Sequence, residues 1–266
     1  NFSDGSWRGS GDFYGGGRTW TEGNTSLDVE GQLGSRNETN FYGGGHSRQV
    51  TGTSSVVYNA IATNYDAEGL LLDDSHINIT GGTLAEDGKV YFYGGKVSED
   101  GQMPNYGDSI VTVKQTGDGI LHSIVGGSRI GAITYGDEAQ PLFVDAKSAS
   151  VIFAGGKTRS ICGGGWLDGS ESKTNKRLTF SKGVSVDISA GYVSKDVFGL
   201  GLVELHAKNP AKSGALIGYD KGQNVLGTNG AVTVNVTGGS FDNSDIIAGA
   251  VVNIGDDTYV KAMSYD

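Results

Sequence analysis

The feature that most restricts the fold of this chain is a large apolar pair followed at once by two glycines, because it returns along the whole length. Phe13-Tyr14-Gly15-Gly16, Phe41-Tyr42-Gly43-Gly44 and Phe92-Tyr93-Gly94-Gly95 are identical. Ile124-Val125-Gly126-Gly127, Phe153-Ala154-Gly155-Gly156, Ile161-Cys162-Gly163-Gly164 and Ile247-Ala248-Gly249-Ala250 keep the same order in looser form. The identical copies lie 28 and then 51 residues apart, a spacing that predicts one period followed by about two. Self-similarity of this kind marks a repeat architecture, in which one unit cannot bury its own apolar face and must stack on its neighbours. Each glycine doublet closes a short β-branched or aromatic run, where a strand stops and the chain turns through positive φ.

A second element precedes several doublets. Ile77-Asn78-Ile79-Thr80-Gly81-Gly82-Thr83-Leu84 and Val232 to Phe241 share an apolar/polar alternation, a Gly-Gly turn and one apolar residue two positions on; Val184 to Val193 is a weaker copy. Alternation with period two predicts strands with one face buried and one wet. A strand, a turn, a second strand and a loop make one coil of roughly 20 to 30 residues, so about ten coils at a 4.8 Å rise would form a rod on the order of 50 Å long. The expected fold is therefore all-β, a single parallel β-solenoid over residues 1–266 and a right-handed β-helix. Residues 1–65 are expected to be irregular end coils or a small cap. Asn64 to Asp74, Glu99 to Asp108, Trp166 to Arg177 and Ala207 to Gly214 are expected to leave the stack as loops. A β-sandwich or propeller also uses many short strands and remains an alternative.

Composition narrows the function. The 266 residues hold 46 Gly and 3 Pro without a glycine at every third place, which excludes collagen and disfavours helix. A formal charge of −10 argues against a nucleic-acid groove or an anionic membrane surface as partner. With Cys162 the only cysteine, no disulfide forms within the chain. No apolar run is long enough to insert in a bilayer as a helix. The chain opens on Asn1 without a basic-then-apolar leader, and it is read as a processed or excised piece.

The segments Val232 to Phe241 with Ile246 to Ala250, Ile77 to Leu84 with Val90 to Gly95, and Val184 to Val193 resemble the right-handed parallel β-helix passenger domains of bacterial autotransporters and related surface proteins. The resemblance implies display on the bacterial surface or secretion, and a role in adhesion, aggregation or biofilm formation.

Candidate chemistry weakens under inspection. Gly155-Gly156-Lys157-Thr158 has the tail of a phosphate-binding loop without its spacing or its helix, and reads as a turn. Asp73-Asp74, Asp118, Asp137-Glu138 and Asp256-Asp257 lack the Gly-Gly-x-Gly-x-Asp pattern of calcium repeats and read as solvated turn carboxylates. His46, His76, His122 and His206 are isolated from one another, so no zinc set is expected. Carboxylates at a coil period would suit a polysaccharide-cleaving β-helix, and none is found. Cys162 reads as a small buried apolar residue. Asn24, Asn37, Asn78 and Asn235 sit in Asn-x-Ser/Thr sequons, common by chance in such a composition, and no glycan is assigned to them.

Aromatic residues are the better lead. Trp7, Trp20 and Trp166 lie close to glycine clusters and are the candidates for a ligand platform stacking on sugar rings or anchoring a partner. Tyr14, Tyr42 and Tyr93 share one repeat position, which predicts a stacked ladder within the fold. The expected function is a non-enzymatic, extracellular adhesin or scaffold module, without cofactor or metal, that binds a host or bacterial surface glycan, a surface protein or itself. A carbohydrate-cleaving enzyme and a self-assembling fibre subunit are the alternatives.

Overall fold

A computed structural model describes residues 6–7, 11–16, 21–33, 39–45, 52–62, 77–81, 84–85, 107–117, 119–130, 142–168, 176–205, 213–217, 224–242, 244–254 and 257–261. Among them the chain is all-β, without a helix, in three sheets of 15, six and four strands. Every pairing but one is parallel.

Register shows why the sequence repeats. In one ladder of the largest sheet, Leu27, Val56, Val111, Val151, Val186 and Val234 pair in turn, drawn from Thr25–Val29, Ser54–Tyr58, Ser109–Val113, the long strands Leu142–Cys162 and Lys176–Val193, and Ala231–Val236. A second ladder aligns Phe13, Phe41, Ile79, Ile124, Ile161, Val197 and Ile246. The six-stranded sheet aligns Leu84, Arg129, Trp166, Leu202 and Val251. The four-stranded sheet joins Ser6–Trp7, Gln32–Leu33, Ile61–Ala62 and Thr116–Gly117. Equivalent residues of successive passes thus lie one above another, and each horizontal set is called a tier below.

The main core lies between the first two ladders. Val29, Tyr58, Val113, Phe153 and Ile188 from one side meet Phe41, Ile79, Ile124, Ile161 and Val197 from the other, all 1% exposed or less. Strands of the second ladder are covered on both faces, as expected of parallel sheet, because Val125, Cys162 and Phe198 turn toward Trp166 and Leu202 of the six-stranded sheet. Thr39–Tyr42 is accordingly buried at all four positions.

Several expectations need correction. The 51 residues from Phe41 to Phe92 are expected to hold about two periods; the tier next to Phe41-Tyr42-Gly43 is Ile79-Thr80-Gly81, 38 residues on, and Phe92 to Gly95 lies outside the described residues. Loops of unequal length displace the period, and Ile replaces Phe in the same column. Within residues 1–65 the described strands pair in register, Gly11–Tyr14 with Thr39–Tyr42, Thr25–Val29 with Ser54–Tyr58, and Gln32–Leu33 with Ile61–Ala62. The expected excursion Trp166 to Arg177 begins and ends in strand, since Trp166 to Asp168 pairs with Leu202 to Glu204, and Lys176-Arg177 with Leu142-Phe143. Of the other three excursions, all but Gly107, Asp108, Ser213 and Gly214 lies outside the described residues.

The glycines also have a different cause. Gly15, Gly43, Gly81, Gly126, Gly163 and Gly199 form one column, each amide donating to the carbonyl that ends the strand pair of the next tier. None of the six has a positive φ in the left-handed region. A Cβ on any of them would instead collide with the carbonyl oxygen of residue 43, 81, 126, 163, 199 or 248 in that next tier. In this column the glycine is set by the absence of space and not by a left-handed turn, whereas Gly156 and Gly239, at φ 100° and 101°, take the positive φ expected of a doublet.

Candidate functional site

Tryptophan positions do not converge. Trp7 belongs to the four-stranded sheet and Trp166 to the six-stranded one. The Trp166 ring is half-buried against the cluster of Val125, Cys162, Phe198 and Leu202. Trp20 lies outside the described residues. Tyr14 and Tyr42 stack with ring centroids 4.9 Å apart and 10° between planes, yet Tyr42 is 1% exposed, so this pair stabilises the interior. Tyr93 lies outside the described residues.

The other motifs resolve into structure. Gly155-Gly156-Lys157-Thr158 sits inside the strand Leu142–Cys162, where the register shifts between Ala154 and Lys157; Gly156, at φ 100°, bends the strand from one ladder into the other. Cys162 is buried, 1% exposed, and as the single cysteine forms no disulfide within the chain. Asn24 accepts the Thr53 amide at 2.9 Å, and Asn235 donates to Asp187 at 2.7 Å. Among the described residues no group of three or more His, Cys, Asp or Glu side chains is placed to hold a metal ion. His46, His76, His206, Asp73-Asp74, Asp118, Asp137-Glu138 and Asp256 lie outside them.

What the fold builds is a regular outer face. Because side chains alternate along a strand, the residues between the core positions of the first ladder point outward. One column runs Ser26, Ser55, Ile110, Ser150, Ser185 and Thr233; beside it run Asp28, Val57, Thr112, Ile152, Asp187 and Asn235. Tiers are about 4.8 Å apart and the two columns roughly 7 Å apart. Val57 and Ile152 are 36% and 38% exposed, large aliphatic groups in the middle of the face. Asp28 and Asp187 flank them, four tiers or roughly 19 Å from each other.

Hydrogen bonds tie the polar side chains of the face to one another and to the backbone. Ser26 Oγ donates to Asp28 Oδ1 at 3.2 Å, Ser185 Oγ to Ser150 Oγ at 3.1 Å, and Ser55 Oγ to the Thr25 carbonyl at 3.3 Å. The result is an aliphatic strip edged by hydroxyl, amide and carboxylate groups. The sequence carries a signal for it that the search for tryptophan misses: Ser54-Ser55-Val56-Val57-Tyr58 and Val151-Ile152-Phe153 place apolar residues on both parities of a period-two pattern.

No family model, curated relative or solved structure matches the chain.

Proposed function

We propose that the chain winds as a right-handed parallel β-solenoid and serves, without catalysis, as the binding module of an extracellular adhesin or scaffold, bacterial surface-displayed or secreted. The flat outer face of the first ladder is its docking surface, and a neutral glycan is its ligand. The solenoid reading draws support from in-register pairing of equivalent residues through successive tiers, and its hand from the strong right-handed preference of parallel crossover connections.

The observation that carries the ligand is the composition of the two outer columns. A pyranose ring offers an apolar C–H face and a rim of hydroxyls, matching Val57, Ile110 and Ile152 with their border of Ser, Thr, Asn and Asp. Self-docking through this face is disfavoured, since a two-fold meeting brings Asp28 of one copy toward Asp187 of the other, and like charges there repel. The net charge of −10 opposes acidic polysaccharides in the same way.

The test is a glycan array with the purified chain, run with turnover detection on every glycan bound. Binding without cleavage, reduced at least about tenfold by Val57→Lys with Ile152→Lys at unchanged melting temperature, is expected; tenfold corresponds to about 1.4 kcal/mol. Cleavage of the glycan would overturn the non-enzymatic reading, and undiminished binding by the double variant would move the site off this face.

A further inference from the structure

In the glycine column described above, six tiers carry glycine and the seventh carries Ala248. The Gly199 amide donates to the Ile247 carbonyl at 2.7 Å and the Leu200 amide to the Gly249 carbonyl at 2.9 Å, which seats Ala248 directly over Gly199. Val197 and Phe198 pair with Ile246 and Ile247 just before it, so the backbone enters the turn in the same register as every tier below. At each of the six glycines an added Cβ points along the stack toward the later tier, where it meets that tier's carbonyl. Ala248 has such a Cβ, is exposed, and carries no tier above it among the described residues.

We infer that Ala248 is a built-in stop on stacking in its own column: its methyl group occupies the place where the carbonyl of a further in-register tier would lie, so the edge at Ile246–Ile247 refuses an in-register parallel strand from a second copy. The need for such a device is visible beside it. Val236 and Ile246, in core-facing columns of the lower tiers, are 42% and 45% exposed here, and among the described residues Ala231–Val236 pairs on one side only. An open parallel edge with exposed aliphatic groups is a template for edge-to-edge growth. In the neighbouring sheet the same end is closed differently, by Asp257–Lys261 turning back antiparallel along Ala250–Ile254. In the largest sheet Ser213–Ile217 also lies in parallel on Asn224–Thr228, so strand cover at two edges and a methyl group at a third oppose extension of the stack by a second copy. The fibre alternative is thereby disfavoured at this end, and the outer face is left as the surface available to a partner.

This inference rests on the tiered reading of the fold, and the experiment separates the two. A second copy of residues 231–254, joined through a flexible glycine-serine linker so that it needs only the edges of Ala231–Val236 and Ile246–Ile247, is inserted after Ile254 in the full chain, once with Ala248 retained in the original tier and once with Ala248→Gly. With glycine the inserted tier docks, its amides exchange at least tenfold more slowly than in the alanine chain, and it resists limited proteolysis. With alanine the insert is cleaved away while the parent tiers stay intact. An insert equally protected, or equally exposed, in both chains overturns the stop. Gly163→Ala in the parent chain tests the tiers themselves: an unchanged melting temperature sinks the tiered reading, whereas a lowered one together with equal inserts sinks the stop alone.

Discussion

Gly126 lies against Gly163 so closely that a Cβ on the first would strike the carbonyl oxygen of the second, while the Gly126 amide bonds the Cys162 carbonyl at 2.8 Å. The strain of a side chain here falls on backbone held by hydrogen bonds on both sides, which cannot rotate away as a flexible side chain would. Gly126→Ala is therefore expected to destabilise the chain by about 3 kcal/mol, the upper end for overpacking. Gly23, at φ +90° with nothing near its would-be Cβ, provides the contrast. Gly23→Ala carries only left-handed backbone strain, about 1–2 kcal/mol. Urea denaturation of both variants checks the order: equal losses would mean that the doublet glycines serve their φ and not their size.

Period two makes neighbouring residues on one strand behave as opposites. Phe153 is fully buried in the main core, whereas Ile152 stands 38% exposed on the outer face. Phe153→Ala leaves a cavity between the two ladders and is expected to cost about 3–5 kcal/mol. Ile152→Ala removes a partly hydrated side chain with no tier to collapse, and its effect stays within about 0.5 kcal/mol. The measurement is the denaturation midpoint of each variant at constant slope. A large loss for Ile152→Ala would show that the outer face is packed against something.

These two contrasts mark how much of the molecule its sequence discloses. Val184 to Ile188 and Val232 to Val236 alternate visibly, and they pair residue for residue. Phe13 and Phe41 announce their stacking, which the rings fulfil at a centroid distance of 5.1 Å and 17° between planes. Beyond them the column continues as Ile79, Ile124, Ile161 and Val197, because the core asks only for apolar volume of the right parity. A search for the same letters therefore skips to Phe92 and misreads the period. The glycines were visible and their reason was not: the clash is between residues 28 to 49 positions apart, and no local propensity carries that information. The outer face was hidden for a related reason. Val57, Thr112 and Ile152 come from segments 55 and 40 residues apart, and only register makes them neighbours.

At the seventh tier the outer surface also carries a contact that titrates. The Tyr192 hydroxyl donates to Asp242 Oδ2 at 3.1 Å, linking residues 50 positions apart. Desolvation first, then this hydrogen bond and the negative charge of Asp242, raise the Tyr192 pKa above the ordinary 10.0. All three causes oppose the phenolate. The folded chain consequently holds the tyrosine proton more tightly than the unfolded chain does, and linkage gives the sign: the contribution is complete below pH 10, the unfolded value, and is lost as pH rises through the raised folded value. Tyr192→Phe keeps the ring and removes the proton, so it removes this dependence and nothing else that ionises. Melting temperatures of the two chains are expected to differ by a constant offset up to about pH 10 and to converge above it, as deprotonation takes from the parent chain what the variant never had. Other tyrosines and lysines titrate in the same range and lower both curves together, which is why the difference between the curves is the quantity to measure. An offset that persists unchanged as pH rises well above 10.0 would mean that Tyr192 and Asp242 are not in contact in solution.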